Sequence, residues 1–272
     1  MSLPFQTIAV VQQGAVLHLT LNRPEVRNAM SLRMVAELRL ALAEAEASAG
    51  TEHAVRVLVL RGAGGHFCAV DDLNYLAAAR MRAAQNDGSD AMAEANAQFG
   101  ELCAAYARTP LALVAVLEGT VMGGGVGLAC VADVALASDT ALFRLPETSM
   151  GVVPAQIAPF LVERLGYSQA KRLAVTGGKL DAAAALHIGL VHQVCGTHTL
   201  ERALDAVLHD ILACAPQALA ATKALVSRAR HHDAQHLVAE AARVFSQSAA
   251  SAEGLEGLTA FVQKRKPQWA VS

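Results

Sequence analysis

Alternating hydrophobic and polar residues near the start of the chain predict a β-hairpin. Leu17, Leu19 and Leu21 alternate with His18 and Thr20, which is the period of a strand with one buried face. A second apolar run, over residues 8–11, lies just before this strand, and the residues between the two runs form the turn. A sheet therefore opens the domain.

Two longer apolar runs predict buried strands over residues 55–60 and 111–117. Each is followed by a glycine-rich loop and then by a predicted helix, beginning within residues 66–73 and over residues 126–131. Before the first run, apolar residues recur at helical spacing over residues 32–42, with Ser31 as the N-cap. This alternation indicates an α/β fold made of repeated strand, loop and helix units.

The second half of the chain is mostly helical. Helices are predicted over residues 157–165, 168–176 and 182–188, followed by a short strand at 190–194, and the pattern is helical only from residue 199. We therefore expect an α/β part over residues 1–195 and a helical part over 196–272. The alanine-rich residues 74–108 predict two helical stretches, which form either a mobile cover over a site or a plain surface pair.

Composition and charge favour some classes of function over others. The net charge is −2 and the pI is near 6.5, so nothing favours nucleic acid as the main partner. No apolar run reaches membrane-spanning length, and the first residues do not resemble a signal peptide. We therefore expect a cytoplasmic protein. No metal is expected, because the histidines and the five scattered cysteines lack the spacing of metal ligands: Cys68, Cys103, Cys130, Cys195, Cys214, His66, His192, His231 and His232.

A triple glycine marks the candidate site. Gly123, Gly124 and Gly125 stand between the predicted buried strand and the following helix, so a backbone amide is presented at a helix N-terminus. A ligand carbonyl can approach such an amide closely because glycine has no Cβ, which gives half of an oxyanion hole. The alternative is that the three glycines only form a tight turn.

Six segments resemble the crotonase family, also called the enoyl-CoA hydratase/isomerase superfamily. They are LNRPEVRNAM (21–30), HFCAVDDL (66–73), EGTVMGGGVGLACVADVALAS (118–138), LPETSMGVVP (145–154), LAVTGGKLDAAAALHIGLVHQV (173–194) and FVQKRKP (261–267), in the family's order. The resemblance covers nearly the whole chain. It implies a spiral of ββα units with a C-terminal helical trimerisation region, and an enzyme that acts on acyl-CoA thioesters.

The resemblance also implies the catalytic groups. The thioester carbonyl would lie between the backbone amides of Asp71 and Gly124, and Glu147 would be the general acid/base. Asp71 could instead be a helix cap that matters only for folding, and Glu147 could be an ordinary residue at a helix start. No cofactor is expected beyond the coenzyme A of the substrate.

The same resemblance implies substrate contacts and an oligomer. Arg27 and Ala29 would lie near the pantetheine and nucleotide, while Phe261 and Lys264 would reach in from a neighbouring subunit of a trimer or a dimer of trimers. In the alternative view, Lys264 belongs to a charged helix end. Further substrate contacts are implied at Ala69, Asp72, Leu73 and Gly123.

Two positions depart from the family's pattern. Gly127 stands where two-glutamate hydratases have a carboxylate, so Glu147 handles both proton and water or another side chain joins it. Val70 stands where the family usually has glycine, and a β-branched residue would be strained there if φ had to be positive. Arg144 and Gln156 are candidate partners for a substrate carboxylate, although a surface ion pair and a helix hydrogen bond are the simpler roles.

Three functions remain open at this point. The first is hydration of an α,β-unsaturated acyl-CoA, preferably a branched glutaconyl-CoA such as isohexenylglutaconyl-CoA of acyclic terpene catabolism, which the segments GVVPAQIAPF and FVQKRKPQW favour through the resemblance. The second is a single-glutamate isomerase or another enolate-forming enzyme. The third is a CoA-binding protein that has lost catalysis.

Overall fold

The computed structural model describes residues 5–70 and 90–270. Its larger sheet has six strands in the order β1-β2-β3-β4-β6-β9, and its smaller sheet has three in the order β5-β7-β8. The strands are β1 (Ile8–Gln13), β2 (Val16–Leu21), β3 (Val57–Gly62), β4 (Ala112–Leu117), β5 (Thr120–Met122), β6 (Val134–Ser138), β7 (Leu142–Arg144), β8 (Lys179–Asp181) and β9 (Gln193–Cys195).

Helices fill the connections between strands and form the C-terminal region. They are α1 (Leu32–Ala47), α2 (Ala91–Arg108), α3 (Gly124–Val131), α4 (Ala158–Thr176), α5 (Ala182–His187), α6 (Leu200–Ala213), α7 (Pro216–Ala229), α8 (Ala234–Ala250) and α9 (Ala252–Val262). The expected mixture of an α/β part and C-terminal helices is confirmed. Ser31 caps α1 as predicted, since its Oγ accepts a hydrogen bond from the Met34 amide at 3.2 Å.

The predicted hairpin is confirmed, and the larger sheet is otherwise parallel. β1 and β2 pair antiparallel, whereas β2, β3, β4, β6 and β9 pair parallel in turn. Parallel strands are covered on both faces, which explains the continuous apolar sequence of β3 and β4. The strand boundaries differ from the prediction most at two strands: the strand expected at 55–60 spans Val57–Gly62, and the one expected at 190–194 spans Gln193–Cys195.

The two faces of β4 belong to two hydrophobic cores. Leu113, Ala115 and Leu117 pack in the larger core with α1, α2 and α3, while the alternate residues of β4 pack in a smaller core against α6. Leu200 and Leu204 of α6 are buried in that smaller core. The first C-terminal helix therefore completes the smaller core on one face of the larger sheet. The expected boundary between an α/β part and a helical part at residue 195 stays a prediction.

Within the described ranges, none of the helices is long and apolar enough to cross a membrane by itself. One bent pair, Thr197–Ala213 with Pro216–Ala229, meets the length and composition test only when the two are taken together, and the bend between them is 99°.

His192 is held in its neutral form between the strands. The Ala135 amide donates to its Nδ1 at 2.9 Å, so that nitrogen must stay unprotonated. Burial, followed by the nearby Arg164 guanidinium, lowers the pKa of His192, because both disfavour the imidazolium.

We expect this histidine to make stability depend on pH. A histidine whose pKa is lower in the folded state contributes stability that is fully present above its unfolded pKa of about 6.5 and is lost as the pH falls from there through the lower folded pKa. Urea unfolding at about pH 5.5 and about pH 7.5 measures how much the free energy of unfolding changes between the two pH values. This change should be smaller for His192→Gln than for the wild type. His53→Gln, at an exposed turn, is the control. If the free energy of unfolding changes equally with pH in the wild type and in His192→Gln, this assignment is contradicted.

Candidate active site

Three chain segments run parallel and end at one edge of the small sheet. Residue 68 forms a parallel bridge with β5: the Cys68 amide donates to the Thr120 carbonyl at 3.0 Å, and the Met122 amide donates to the Cys68 carbonyl at 2.9 Å. β5 pairs in turn with β7, and the Gly123 amide donates to the Arg144 carbonyl at 3.1 Å. The residues after these segments are thereby brought together.

Gly123 forms the turn between β5 and α3. Its φ of 51° and ψ of −119° are accessible to glycine and strained for other residues. Its carbonyl accepts the amides of Val126 and Gly127, which starts the helix. The amide of Gly124 is the first of α3 and has no acceptor within the helix, so it lies at the positive end of the helix dipole.

Glu147 faces this turn. It begins a 3₁₀-helix, Glu147–Met150, directly after Pro146, and its Oε2 atom is buried. A Cβ placed on Gly123 would lie 3.2 Å from Glu147 Oε1 and 3.8 Å from the Cα of Val70. The structure therefore brings Glu147, Gly123 and Val70 together, and a glycine at 123 leaves room for the carboxylate beside the first amides of α3.

Asp71, Asp72 and Leu73 lie outside the described residues, as do residues 74–89 of the predicted cover over residues 74–108; the rest of that stretch forms α2 (Ala91–Arg108). Val70 is described. Among the described residues other than glycine, positive φ occurs at Arg27, Asn28 and Lys264, so the backbone strain considered for Val70 is absent.

Arg27 and Ala29 flank a buried asparagine that the sequence reasoning missed. Asn28 is fully buried, and its Nδ2 donates to the carbonyls of Ala63 at 2.9 Å and His66 at 2.7 Å. The Arg27 carbonyl accepts from the Ala69 amide at 2.8 Å, so the two predicted substrate-binding segments are neighbours. The backbone at Asn28 is left-handed, with φ of 57°, which asparagine tolerates better than most residues; only the structure shows this conformation.

The position expected to carry a second carboxylate has an apolar environment. A Cβ placed on Gly127 would lie 2.4 Å from Ile157 Cγ2 and 3.5 Å from Phe99 Cε1. Contacts below 3.0 Å do not occur between real Cβ atoms and their neighbours, so Ile157 occupies the space of a side chain at 127. We call Gly127, Ile157 and Phe99 the apolar wall.

The remaining candidates lie around this region or far along the chain. Gln156 Nε2 donates to Asn96 Oδ1 of α2 at 2.9 Å, which matches the simpler role of a structural hydrogen bond. Arg144 is exposed at the end of β7. Phe261, which is 84% exposed, lies in the last turn of α9, and Lys264 follows the end of that helix.

The described part of the chain, residues 5–70 and 90–270, contains no group of three or more histidine, cysteine, aspartate or glutamate side chains arranged to hold a metal ion. The chemistry that the described groups can supply is that of one carboxylate and one helix N-terminus.

Comparison with known proteins gives the family. Residues 11–271 match the enoyl-CoA hydratase/isomerase family. The 2,3-dehydroadipyl-CoA hydratase of Escherichia coli (strain K12) is 32% identical over 264 residues, which cover 96% of this chain and 98% of that protein.

Solved structures agree with this match. An enoyl-CoA hydratase/isomerase from Marinobacter aquaeolei has a TM-score of 0.91 and 45% identity, covering 97% of this chain and 99% of that one. Pseudomonas aeruginosa AtuE has a TM-score of 0.91 and 48% identity, covering 98% and 100%. The chain is therefore an enzyme that belongs to the enoyl-CoA hydratase/isomerase family.

Proposed function

We propose that this enzyme adds water to the double bond of an α,β-unsaturated acyl-CoA. The observation that carries the proposal is the position of the Glu147 carboxylate opposite the Gly123 turn and the first amides of α3. A thioester carbonyl at the Gly124 amide would be polarised, which makes its β-carbon electrophilic and stabilises the enolate formed on addition. The Asp71 amide is the proposed second donor, from the family resemblance.

The proposed mechanism uses one glutamate twice. Glu147 as carboxylate takes a proton from water while the water oxygen bonds to the β-carbon, and the electron pair of the double bond moves into the thioester enolate. Protonated Glu147 then gives that proton to the α-carbon, and the carbonyl reforms. The carboxylate is regenerated, so atoms and charge balance without any cofactor.

The apolar wall supports a mechanism that uses a single carboxylate. A glutamate at 127 would have to displace Ile157, so the two-glutamate arrangement does not fit this packing. Isoleucine and phenylalanine there would also exclude water from one side of the acyl group, which strengthens electrostatic interactions with the enolate.

We further propose that the acyl group is a branched glutaconyl-CoA, such as isohexenylglutaconyl-CoA of acyclic terpene breakdown. The segments GVVPAQIAPF and FVQKRKPQW support it by their resemblance to hydratases of such substrates. The E. coli relative is named for dehydroadipyl-CoA, the thioester of a dicarboxylic acid, which agrees with an acyl chain that carries a carboxylate. Arg144 and Gln156 remain the proposed partners of that carboxylate, and Phe261 and Lys264 the proposed CoA contacts from a neighbouring subunit.

A double-bond isomerase is the second candidate, and Gly127 favours it. Moving a proton from one carbon to another requires one carboxylate and an oxyanion hole, both of which the site would supply. Analysis of the product distinguishes the two reactions, because hydration adds the mass of a water and isomerisation adds none.

Replacement of the proposed acid/base tests the hydratase. We expect Glu147→Gln to lower kcat roughly 10²- to 10⁴-fold, because the amide can neither take nor return the proton. Loss of the conjugated thioester absorbance with isohexenylglutaconyl-CoA and crotonyl-CoA measures the rate. Glu44→Gln, at an exposed position of α1, is the control and should keep full activity. Turnover unchanged in Glu147→Gln would contradict the proposal.

The apolar wall is tested by a double-mutant cycle. Alanine for glycine inside a helix usually adds about 0.5–1 kcal/mol of stability, but overpacking a core costs about 1–3 kcal/mol. We therefore expect Gly127→Ala to destabilise the protein. Ile157→Leu removes the Cγ2 methyl that a Cβ at 127 would meet, so the double variant should be more stable than the sum of the single effects predicts. Urea unfolding measures each variant, and additive effects would show that the overlap is absent.

The C-terminal helices support the proposed trimer or dimer of trimers. Large apolar side chains stand exposed along α8 and α9, and such a surface is typical of one that packs against another chain. They are Val238, Phe245, Leu255, Leu258, Phe261 and Val262, with exposures between 57% and 84%. A second copy of the chain is the proposed occupant, because the C-terminal region of the family is its trimerisation region.

Light scattering coupled to gel filtration tests the oligomer. We expect the wild type to have three or six times the monomer mass of 28.3 kDa. Phe245→Asp should shift it towards the monomer, because it places a charge in the proposed contact. Val175→Asp, at an exposed position of α4, is the matched control and should leave the mass unchanged. A monomeric wild type would overturn this part of the proposal.

A further inference from the structure

The two ends of the short helix α3 differ in how their backbone polar groups are bonded. Its N-terminus forms the candidate site, and all eight of its residues are buried. At the other end, Ala132 is extended, with φ of −69° and ψ of 140°, and the last turn contains neither a capping glycine nor a basic residue. The last carbonyls of a helix lack partners within it, so buried ones need a donor from elsewhere.

Arg164 of α4 supplies that donor. Its Nε and Nη2 atoms donate to the Cys130 carbonyl at 3.2 and 2.9 Å. Nη2 also lies 3.4 Å from the Ala129 carbonyl and donates to the carbonyl of Ala132. One guanidinium therefore binds three carbonyls at the end of the α3 backbone, and its planar set of donors suits this task.

The surroundings show that these carbonyls, rather than an ion pair, are the partners of Arg164. Burial lowers the pKa of the guanidinium, and burial raises the pKa of the Cys130 thiol to about 12, so the thiol is neutral. The nearby Asp133 carboxylate is bound instead by Lys223 Nζ at 2.5 Å and by the Leu113 amide at 2.7 Å. The third nitrogen, Nη1, lies 3.0 Å from His192 Nε2, next to the start of β9.

We infer that Arg164 is a positioning residue for the oxyanion hole, acting through α3 from the end opposite the substrate. The inference rests on the proposed role of the Gly124 amide. Eight residues rise only about 12 Å, so a displacement of the C-terminal end is carried to the first amide. The cation also stabilises the negative end of the helix dipole and adds positive potential along the axis towards the developing oxyanion.

Kinetics of Arg164 variants give the first test. We expect Arg164→Gln to lower kcat roughly 10- to 100-fold, as small misplacements of catalytic groups do, while KM for the acyl-CoA changes little. Arg164→Lys keeps the charge but cannot reach three carbonyls, so it should recover part of the lost kcat. Arg56→Gln is the matched control, because Arg56 also donates to helix-end carbonyls, those of Leu212 at 3.0 Å and Cys214 at 2.5 Å, away from the site.

A spectroscopic test separates positioning from general loss of stability. In a Glu147→Gln background, where turnover is slow, the infrared C=O stretch of a bound enoyl-CoA labelled with ¹³C at the thioester carbonyl reports its polarisation. We expect binding to lower this frequency, Arg164→Gln to remove much of the shift, Arg164→Lys to restore part of it, and Arg56→Gln to leave it intact. Thermal unfolding of each variant identifies those that fold.

The outcomes distinguish the two proposals. An unchanged frequency shift and kcat in Arg164→Gln would overturn the role of Arg164. Equal losses in Arg164→Gln and Arg56→Gln would also overturn it, since they would show a general effect of destabilisation. If binding does not lower the C=O frequency even with Arg164 present, the thioester carbonyl is not polarised. That result would contradict the proposed oxyanion hole and, with it, the proposed function. If Arg164→Gln does not fold, the comparison of Arg164→Lys with Arg56→Gln decides.

Discussion

The hydrogen bonds between β5, β7 and the segment at Cys68 bring Val70, Gly123 and Glu147 of the candidate site together. Parallel pairing makes neighbouring segments end at the same edge, so the residues just beyond each segment are collected there. Val70, Gly123 and Glu147 come from three distant parts of the sequence and meet because three short segments share one register. These pairs are few, but they are covered by the larger core, which keeps their hydrogen bonds away from water.

The helix α3 links this edge to the rest of the molecule. It is short and wholly buried, so its stability comes from packing and not from propensity. Burial makes the helix rigid but leaves polar groups at both ends that need partners. At one end the proposed partner is the substrate carbonyl, and at the other it is the guanidinium of Arg164. An unsatisfied end is costly in a buried helix, which gives the helix an affinity for a developing negative charge.

The apolar wall and the single carboxylate are two aspects of one arrangement. Ile157 fills the space beside Gly127, so a side chain at 127 would have to displace it, and the ionisable chemistry of the described site is concentrated on Glu147. A second carboxylate nearby would raise the pKa of the first and would bring water with it. The wall is therefore a packing feature with a chemical consequence for the proposed mechanism.

Local patterns in the sequence were enough for the hairpin of β1 and β2, the buried strands β3 and β4, the cap of α1 at Ser31, and the helix after the triple glycine. These features depend on the period of apolar residues and on the backbone freedom of glycine, which neighbouring residues determine by themselves. The resemblance of six segments gave the family, which the comparisons confirmed. The small sheet was not predicted, because strands of three residues such as β5 and β7 are too short to show a period. The resemblance also implied that Glu147 and the glycine turn share one site. Only the tertiary structure filled the space at Gly127 with Ile157, buried Asn28 and placed Arg164 at the end of α3, because each of these contacts joins residues whose distance in sequence says nothing about their distance in space.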